Sequence, residues 1–332
     1  MSQRQLILDL FSGKKLDVAP AFSGLLTVTA AGLESEELSW REVHHEAGKM
    51  ARAATSTFKL TGLPSVTLPL DLTAPAEALG AELIFYGEEE SQFPQARRAM
   101  IESVRELTTE RTESTEIFER GRLAMICEAI SLARKEVGEK AVISGMIPGP
   151  YTLLLYLCNP AKLFLEMKKE PQAVLDALFH LSSFLAQIGR AYREAGADFI
   201  TIHDMGGSPG FVGPARYEEF VYPAERGLIE ALPGPRVLSV CGRADRSLGL
   251  LNQAGAEAVS VDQLTDLRLA RAALTDTLLF GNLDPVATLW RTDRNGVAQA
   301  AQRSREAGVD AVWPGCDLVL QSPVENIQAM VG

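Results

Sequence analysis

REAGADFITIHD (Arg193–Asp204) and SREAGVDAVWPGCD (Ser304–Asp317) decide the fold. Each reads as the end of an amphipathic helix, a glycine stop at Gly196 or Gly308, and direct entry into an apolar run that closes on polar residues. Outward from these two stretches the same alternation recurs. Eight runs suit strands: Ala19–Ser23, Ser65–Pro69, Ala141–Gly145, Phe199–His203, Val237–Cys241, Ala258–Val261, Thr277–Gly281 and Asp310–Trp313. Helical periodicity covers Trp40–Lys59, Thr115–Val137, Ala173–Ala195, Tyr217–Ala231, Asp245–Ala254 and Val297–Ala307. Strands alternating with helices pair in parallel through βαβ crossovers. Eight such units in 332 residues predict an α/β fold, a single (β/α)8 TIM barrel forming one domain over 1–332. An open doubly wound sheet is the competitor, but no G-x-G-x-x-G follows an early strand. A small hairpin insertion is expected after the second strand, around Ala81–Gln95, with the acidic run Glu88–Glu90 in a solvated loop.

Composition narrows the function. Apolar residues make up 46% and charged residues 23%, the balance of a globular protein; 32 basic against 43 acidic side chains leave a net charge of −11. That sign argues against nucleic acid or an anionic membrane as partner. The amino-terminal apolar stretch is broken by Asp9, and the one around Met146–Phe164 by Pro148, Pro150 and Pro160, so neither a signal peptide nor a spanning helix is expected. Cys127, Cys158, Cys241 and Cys316 are scattered, which suits a cytoplasmic chain with free thiols. Nothing in the sequence sets an oligomeric state.

In a barrel, chemistry gathers where strands end. Those positions hold Asp71, Tyr151 and Tyr156, His203 and Asp204, Ser239, Cys241 and Arg243, Asp262, Asn282 and Asp284, and finally Cys316 and Asp317. Cys241 and Cys316 end two different strands and could face each other. Two thiolates so placed suit zinc, which takes cysteine sulfur and imidazole nitrogen. Two small buried hydrophobes would leave the same trace. His203 taken alone reads as a structural histidine, and His44 and His45 fall on a helix expected to be solvated.

The motifs SVCGR (239–243), SVDQLTDLRLAR (260–271), GNLDPVATL (281–289), PGCDLVLQSPVENIQAM (314–330) and LPLDLTAPAEALGAEL (68–83) resemble the uroporphyrinogen decarboxylase superfamily. Within it the chain is most similar to the methylcobamide:coenzyme M methyltransferases and their bacterial corrinoid relatives. The resemblance implies a TIM barrel that moves a methyl group between a corrinoid and a small acceptor, either a coenzyme M-like thiol or tetrahydrofolate. The corrinoid must come on a partner protein, since no Asp-x-His-x-x-Gly pattern is present. That branch carries zinc on His-x-Cys plus a late cysteine. Cys241 and Cys316 match the two cysteines, but Ser239 stands at the histidine position, and a hydroxyl is a poor zinc ligand. A third metal ligand must then come from elsewhere, with His203 and Asp204 the candidates; side chains alternate along a strand, so one of them points inward. Asp71, Tyr156 and Asp204 are the expected catalytic residues, and Ser239, Asn282 and Asp262 the expected substrate contacts. The decarboxylases themselves carry an early arginine segment for substrate carboxylates. Here VAPAFSGLLTVTAAGL (18–33) has no arginine, and Gly315-Cys316-Asp317 replaces their late Gly-His-Gly. Decarboxylation and a zinc-free accessory barrel are the alternatives.

Overall fold

The structure, a computed structural model, describes residues 2–87, 93–107, 118 and 121–332. The acidic run Glu88–Glu90 and most of the stretch 115–120, where the second predicted helix begins, lie outside the described residues.

Seven strands form one curled parallel sheet: β1 (Ser65–Leu68), β4 (Val142–Pro148), β5 (Phe199–Asp204), β6 (Arg236–Val240), β7 (Ala258–Val261), β8 (Leu278–Leu283) and β9 (Ala311–Pro314), paired in that order. Two short strands, β2 (Leu83–Ile84) and β3 (Gln95–Ala96), pair antiparallel between β1 and β4. The predicted first strand, Ala19–Ser23, makes one parallel bridge, Ala21 to Val312 on β9. On its other side the Ser23 N–H donates to Ser65 Oγ at 2.8 Å, at the start of β1. Pro20 has no N–H to extend the ladder, so the segment ends as a bridge, not a regular strand.

Helices cover the outer face and leave both faces of the sheet buried, which is why the strands read as near-continuous apolar runs. Side-chain alternation along β5 sends Phe199, Thr201 and His203 to the concave face and Ile200, Ile202 and Asp204 toward the helices. Phe22, Phe199, Phe280 and Trp313 pack together inside the concave face with Phe11, whose helix Gln3–Phe11 covers the start of the strands. The opposite, carboxyl-terminal edge is thereby left for polar groups.

Several boundaries moved. The predicted helix Trp40–Lys59 is a 3-10 turn, Glu42–His44, followed by a helix over Ala47–Thr61. Cys241 lies one residue beyond β6. The helix Pro160–Lys169 was not anticipated; Asn159 caps it by accepting from the N–H groups of Ala161 and Lys162. No helix among the described residues is long and apolar enough to cross a membrane.

Candidate metal and substrate site

His203, Cys241 and Cys316 converge at the carboxyl edge of the sheet. Their Nε2 and Sγ atoms all lie within 4.8 Å of one another. The two sulfurs are 3.1 Å apart, and Cys316 Sγ is 4.0 Å from His203 Nε2. Register explains how the imidazole arrives: His203 on β5 pairs with Ser239 on β6. It therefore stands one strand over from Ser239, at the same height beneath Cys241. Ser239 is buried, and its hydroxyl has no hydrogen-bond partner within the protein.

Electrostatics bind the three groups together. Burial alone would lower the pKa of His203, but the Asp317 carboxylate 3.3 Å from Nε2 overrides it and raises the value to about 10. The two thiols are hydrogen-bonded to each other. The hydrogen bond from Cys241 pushes Cys316 down, with His203 adding to that effect, and Cys241 is pushed up. Asp262, at the end of β7, adds negative charge beside Cys241; its Oδ1 accepts the Leu264 N–H. The Asn282 amide donates to the carbonyls of Asp262 and Thr265 and ties the β7 and β8 ends together.

Asp71 follows β1, and Tyr156 lies in the helix Pro150–Leu157 that follows β4. Burial opposes ionisation of Asp71, yet Arg122 and His44 hold its carboxyl far below the usual carboxylate range. His44 Nδ1 lies 3.0 Å from Oδ2, Arg122 donates to the same oxygen, and the Thr73 N–H and hydroxyl donate to Oδ1. His44 is thus buried, correcting its expected place on a solvated helix. Its neighbour His45 is exposed, with its ring tilted 57° against that of Phe85. The Tyr156 hydroxyl is pushed up by burial and then by the charges of Asp71 and Asp317.

Asp204 points the other way. Its Oδ1 accepts from the Thr152 hydroxyl at 2.6 Å and from the Gly207 N–H at 3.1 Å. Gly207 is required there, since a Cβ would meet Asp204 Oδ2 at 2.5 Å. Glu225, in the helix Tyr222–Ala231, completes the cluster and accepts from the Tyr217 hydroxyl at 2.6 Å. Burial, and then Asp204, keep the Glu225 pKa well above that of an ordinary glutamic acid. Asp204 Oδ2 and Glu225 Oε1 have no other partner, so one proton held between them satisfies both. Sequence reading missed His44, Arg122, Glu225 and the contact of Asp317 with His203. Arg122 lies 51 residues from Asp71, and no local pattern signals such a pairing.

The uroporphyrinogen decarboxylase (URO-D) family model matches residues 2–332. The chain belongs to the uroporphyrinogen decarboxylase family. A methylcobamide:CoM methyltransferase of Methanosarcina acetivorans is 30% identical over 319 residues, covering 95% of this chain and 92% of that protein. A uroporphyrinogen decarboxylase of Syntrophotalea carbinolica is 28% identical over 241 residues, 70% of this chain and 67% of that one. Among solved structures, a methyltransferase from Methanosarcina mazei superposes with a TM-score of 0.94 at 25% identity, over 100% of this chain and 97% of its own.

Proposed function

We propose that this member of the family is a methyltransferase that moves a methyl group between a protein-bound methylcobamide and a small acceptor, with a coenzyme M-like thiol favoured over tetrahydrofolate. The cluster of His203, Cys241 and Cys316 carries this reading, in a chain whose family relatives include methylcobamide:CoM methyltransferases. We read the curled sheet as a single-domain (β/α)8 barrel closed by Ala19–Ser23, with β2 and β3 as its hairpin insertion.

The donors fit zinc. Bonds of about 2.3 Å to sulfur and 2.0–2.1 Å to nitrogen give tetrahedral edges of about 3.7 Å between sulfurs and about 3.5 Å between sulfur and nitrogen. The observed 3.1 and 4.0 Å differ from those edges by less than an ångström. His203, Cys241 and Cys316 would hold the ion, with His203 supplying the imidazole that Ser239 cannot. When bound, zinc lowers the pKa of a thiol so that its thiolate exists at neutral pH. Ser239, Asp262 and Asn282 would then contact the acceptor, while Asp71 and Tyr156 form the opposite wall. Asp204, turned toward the helices, would act by fixing the loop after His203. In the transfer, the acceptor sulfur gains the methyl carbon, the thiol proton goes to solvent, and the cobalt–carbon bond breaks with its electron pair left on cobalt. Thiols that must stay reduced suit the cytoplasm.

Decarboxylation finds no support in the site. Arg122 is committed to Asp71 and Glu77, and the stretch Val18–Leu33 carries no arginine for a macrocycle with many carboxylates. The test supplies methylcobalamin and either 2-mercaptoethanesulfonate or tetrahydrofolate to the purified chain and follows the corrin spectrum. Thiol-dependent demethylation together with stoichiometric zinc is the expected outcome, with no conversion of uroporphyrinogen. Robust porphyrinogen decarboxylation would overturn the assignment; a zinc-free chain active with tetrahydrofolate alone would move it to the pterin acceptor.

A further inference from the structure

We infer that the acceptor is a small aminothiol, whose ammonium group pairs with Asp262 and gives a second hydrogen bond to Gln263. This rests on the proposed function above and chooses the tail of the thiol, an ammonium in place of a sulfonate. Val240 on β6 pairs with Val261 on β7, so Cys241 and Asp262 leave adjacent strands at the same height. The next residue, Gln263, reaches the other cysteine. Its Oε1 leans on Gly315, directly before Cys316, where a Cβ would meet it at 2.5 Å. Two consecutive residues thus flank both cysteines of the cluster. The Asn282 amide, donating to the carbonyls of Asp262 and Thr265, holds their turn in place.

Other buried carboxylates in this chain keep arginines: Asp71 has Arg122, and Asp198 has Arg4 and Arg134. Asp262 is 5% exposed and has no ion-pair partner among the described residues. Its Oδ1 accepts the Leu264 N–H at 2.8 Å. Gln263 Oε1 is a buried oxygen that accepts from no group among the described residues. A nearly buried carboxylate without a cation is costly, and so is a buried oxygen without a donor. An ammonium group supplies the charge to one and a hydrogen to the other. Arg243, two residues after Cys241, is turned away to Asp245 at 3.1 Å, with its side chain 68% exposed. The negative groups acting on Cys241 include Asp317 and Asp262. Two thiolates balance the charge of a zinc ion, so these carboxylates leave the mouth anionic before any acceptor enters, which disfavours a sulfonate tail. In the transfer the acceptor sulfur gains the methyl carbon, the thiol proton goes to solvent, the cobalt–carbon electron pair stays on cobalt, and the ammonium is unchanged.

The test uses the full chain, loaded with cobalt(II) for binding and with zinc for turnover of methylcobalamin. Three thiols that differ only in their tails are compared: 2-aminoethanethiol, 2-mercaptoethanol and 2-mercaptoethanesulfonate. Binding is read from the change in thiolate-to-cobalt absorption on titration. Wild type should bind the amine at least about tenfold more tightly than the alcohol, as one charge-assisted hydrogen bond requires, and the sulfonate most weakly. Values of kcat/KM should follow the same order. Asp262→Asn retains the oxygen that accepts from Leu264; there the ratio of amine to alcohol affinity should fall to within about twofold, and the sulfonate should gain. The acidities of the free thiols cancel when the two proteins are compared. Wild type binding the sulfonate as tightly as the amine would refute the inference alone. An amine preference that persists in Asp262→Asn would refute it too, because nitrogen bound to the metal would then account for it. Wild type with no thiolate-to-cobalt absorption and no demethylation by any of the three thiols would sink the proposed function, and this inference with it.

Discussion

Glu225→Gln tests whether Asp204 and Glu225 share one proton behind the site. In the unfolded chain Glu225 titrates near its ordinary value of 4.5, whereas in the fold burial and Asp204 raise it. A raised folded pKa contributes stability that is fully present below the unfolded value and is lost as pH rises. For as long as Glu225 keeps its proton in the fold, each pH unit above 4.5 costs about 1.4 kcal/mol. Glutamine avoids that cost. Its amide N–H can donate to Asp204 Oδ2 and its carbonyl can accept from Tyr217, but its second N–H is buried without a partner, a penalty of about 1–2 kcal/mol. The variant should therefore become the more stable protein roughly one pH unit above 4.5, where that cost overtakes the penalty. Its advantage should then grow by about 1.4 kcal/mol per pH unit for as long as Glu225 stays protonated in the wild-type fold. Urea unfolding of both proteins at several pH values measures the difference, and titrating groups remote from residue 225 cancel in the subtraction. A variant less stable than wild type by the same amount across that range would show that no proton is shared.

Cys241→Ala and Cys316→Ala should each abolish stoichiometric metal binding while circular dichroism stays that of the folded wild type, because each loss removes a ligand at the sheet edge and not a large core side chain; full metal occupancy in both would end the metal reading. His203→Ala should likewise lose metal, and adding Ser239→His to it should restore binding, since the family histidine then stands one strand over at the same register. Ser239→His alone should not tighten binding, and a clear gain in zinc affinity on competition with a chelator would show that His203 does not complete the site. Arg122→Met leaves the buried Asp71 with His44 and Thr73 but no permanent cation, and should cost about 3 kcal/mol in urea unfolding; a loss below about 1 kcal/mol would show that His44 suffices.

The alternation of strand and helix was legible because it is written in local periods: a glycine stop at Gly196 and Gly308, then an apolar run. The two thiols were legible as strand-end residues for the same reason, and the alternation along β5 said that only one of His203 and Asp204 faces inward. Which one it is depends on the phase of the strand against the sheet, and the sequence does not set that phase when both faces are buried. Here Phe199 packs inside the curl, which turns His203 inward and sends Asp204 to Thr152 and Glu225.

By itself, then, the sequence determined the βα repeat, the positions where strands end, and the absence of a histidine at Ser239. Only the tertiary structure decided that β5 lies against β6 with His203 opposite Ser239, so that an imidazole from another strand reaches the two cysteines. The same holds for His44 and Arg122 on Asp71, and for Asp317 on His203. These contacts join residues 27 to 114 positions apart. They are fixed by strand register and by the curl of the sheet, which arise from packing the whole chain and leave no periodic trace in any one segment.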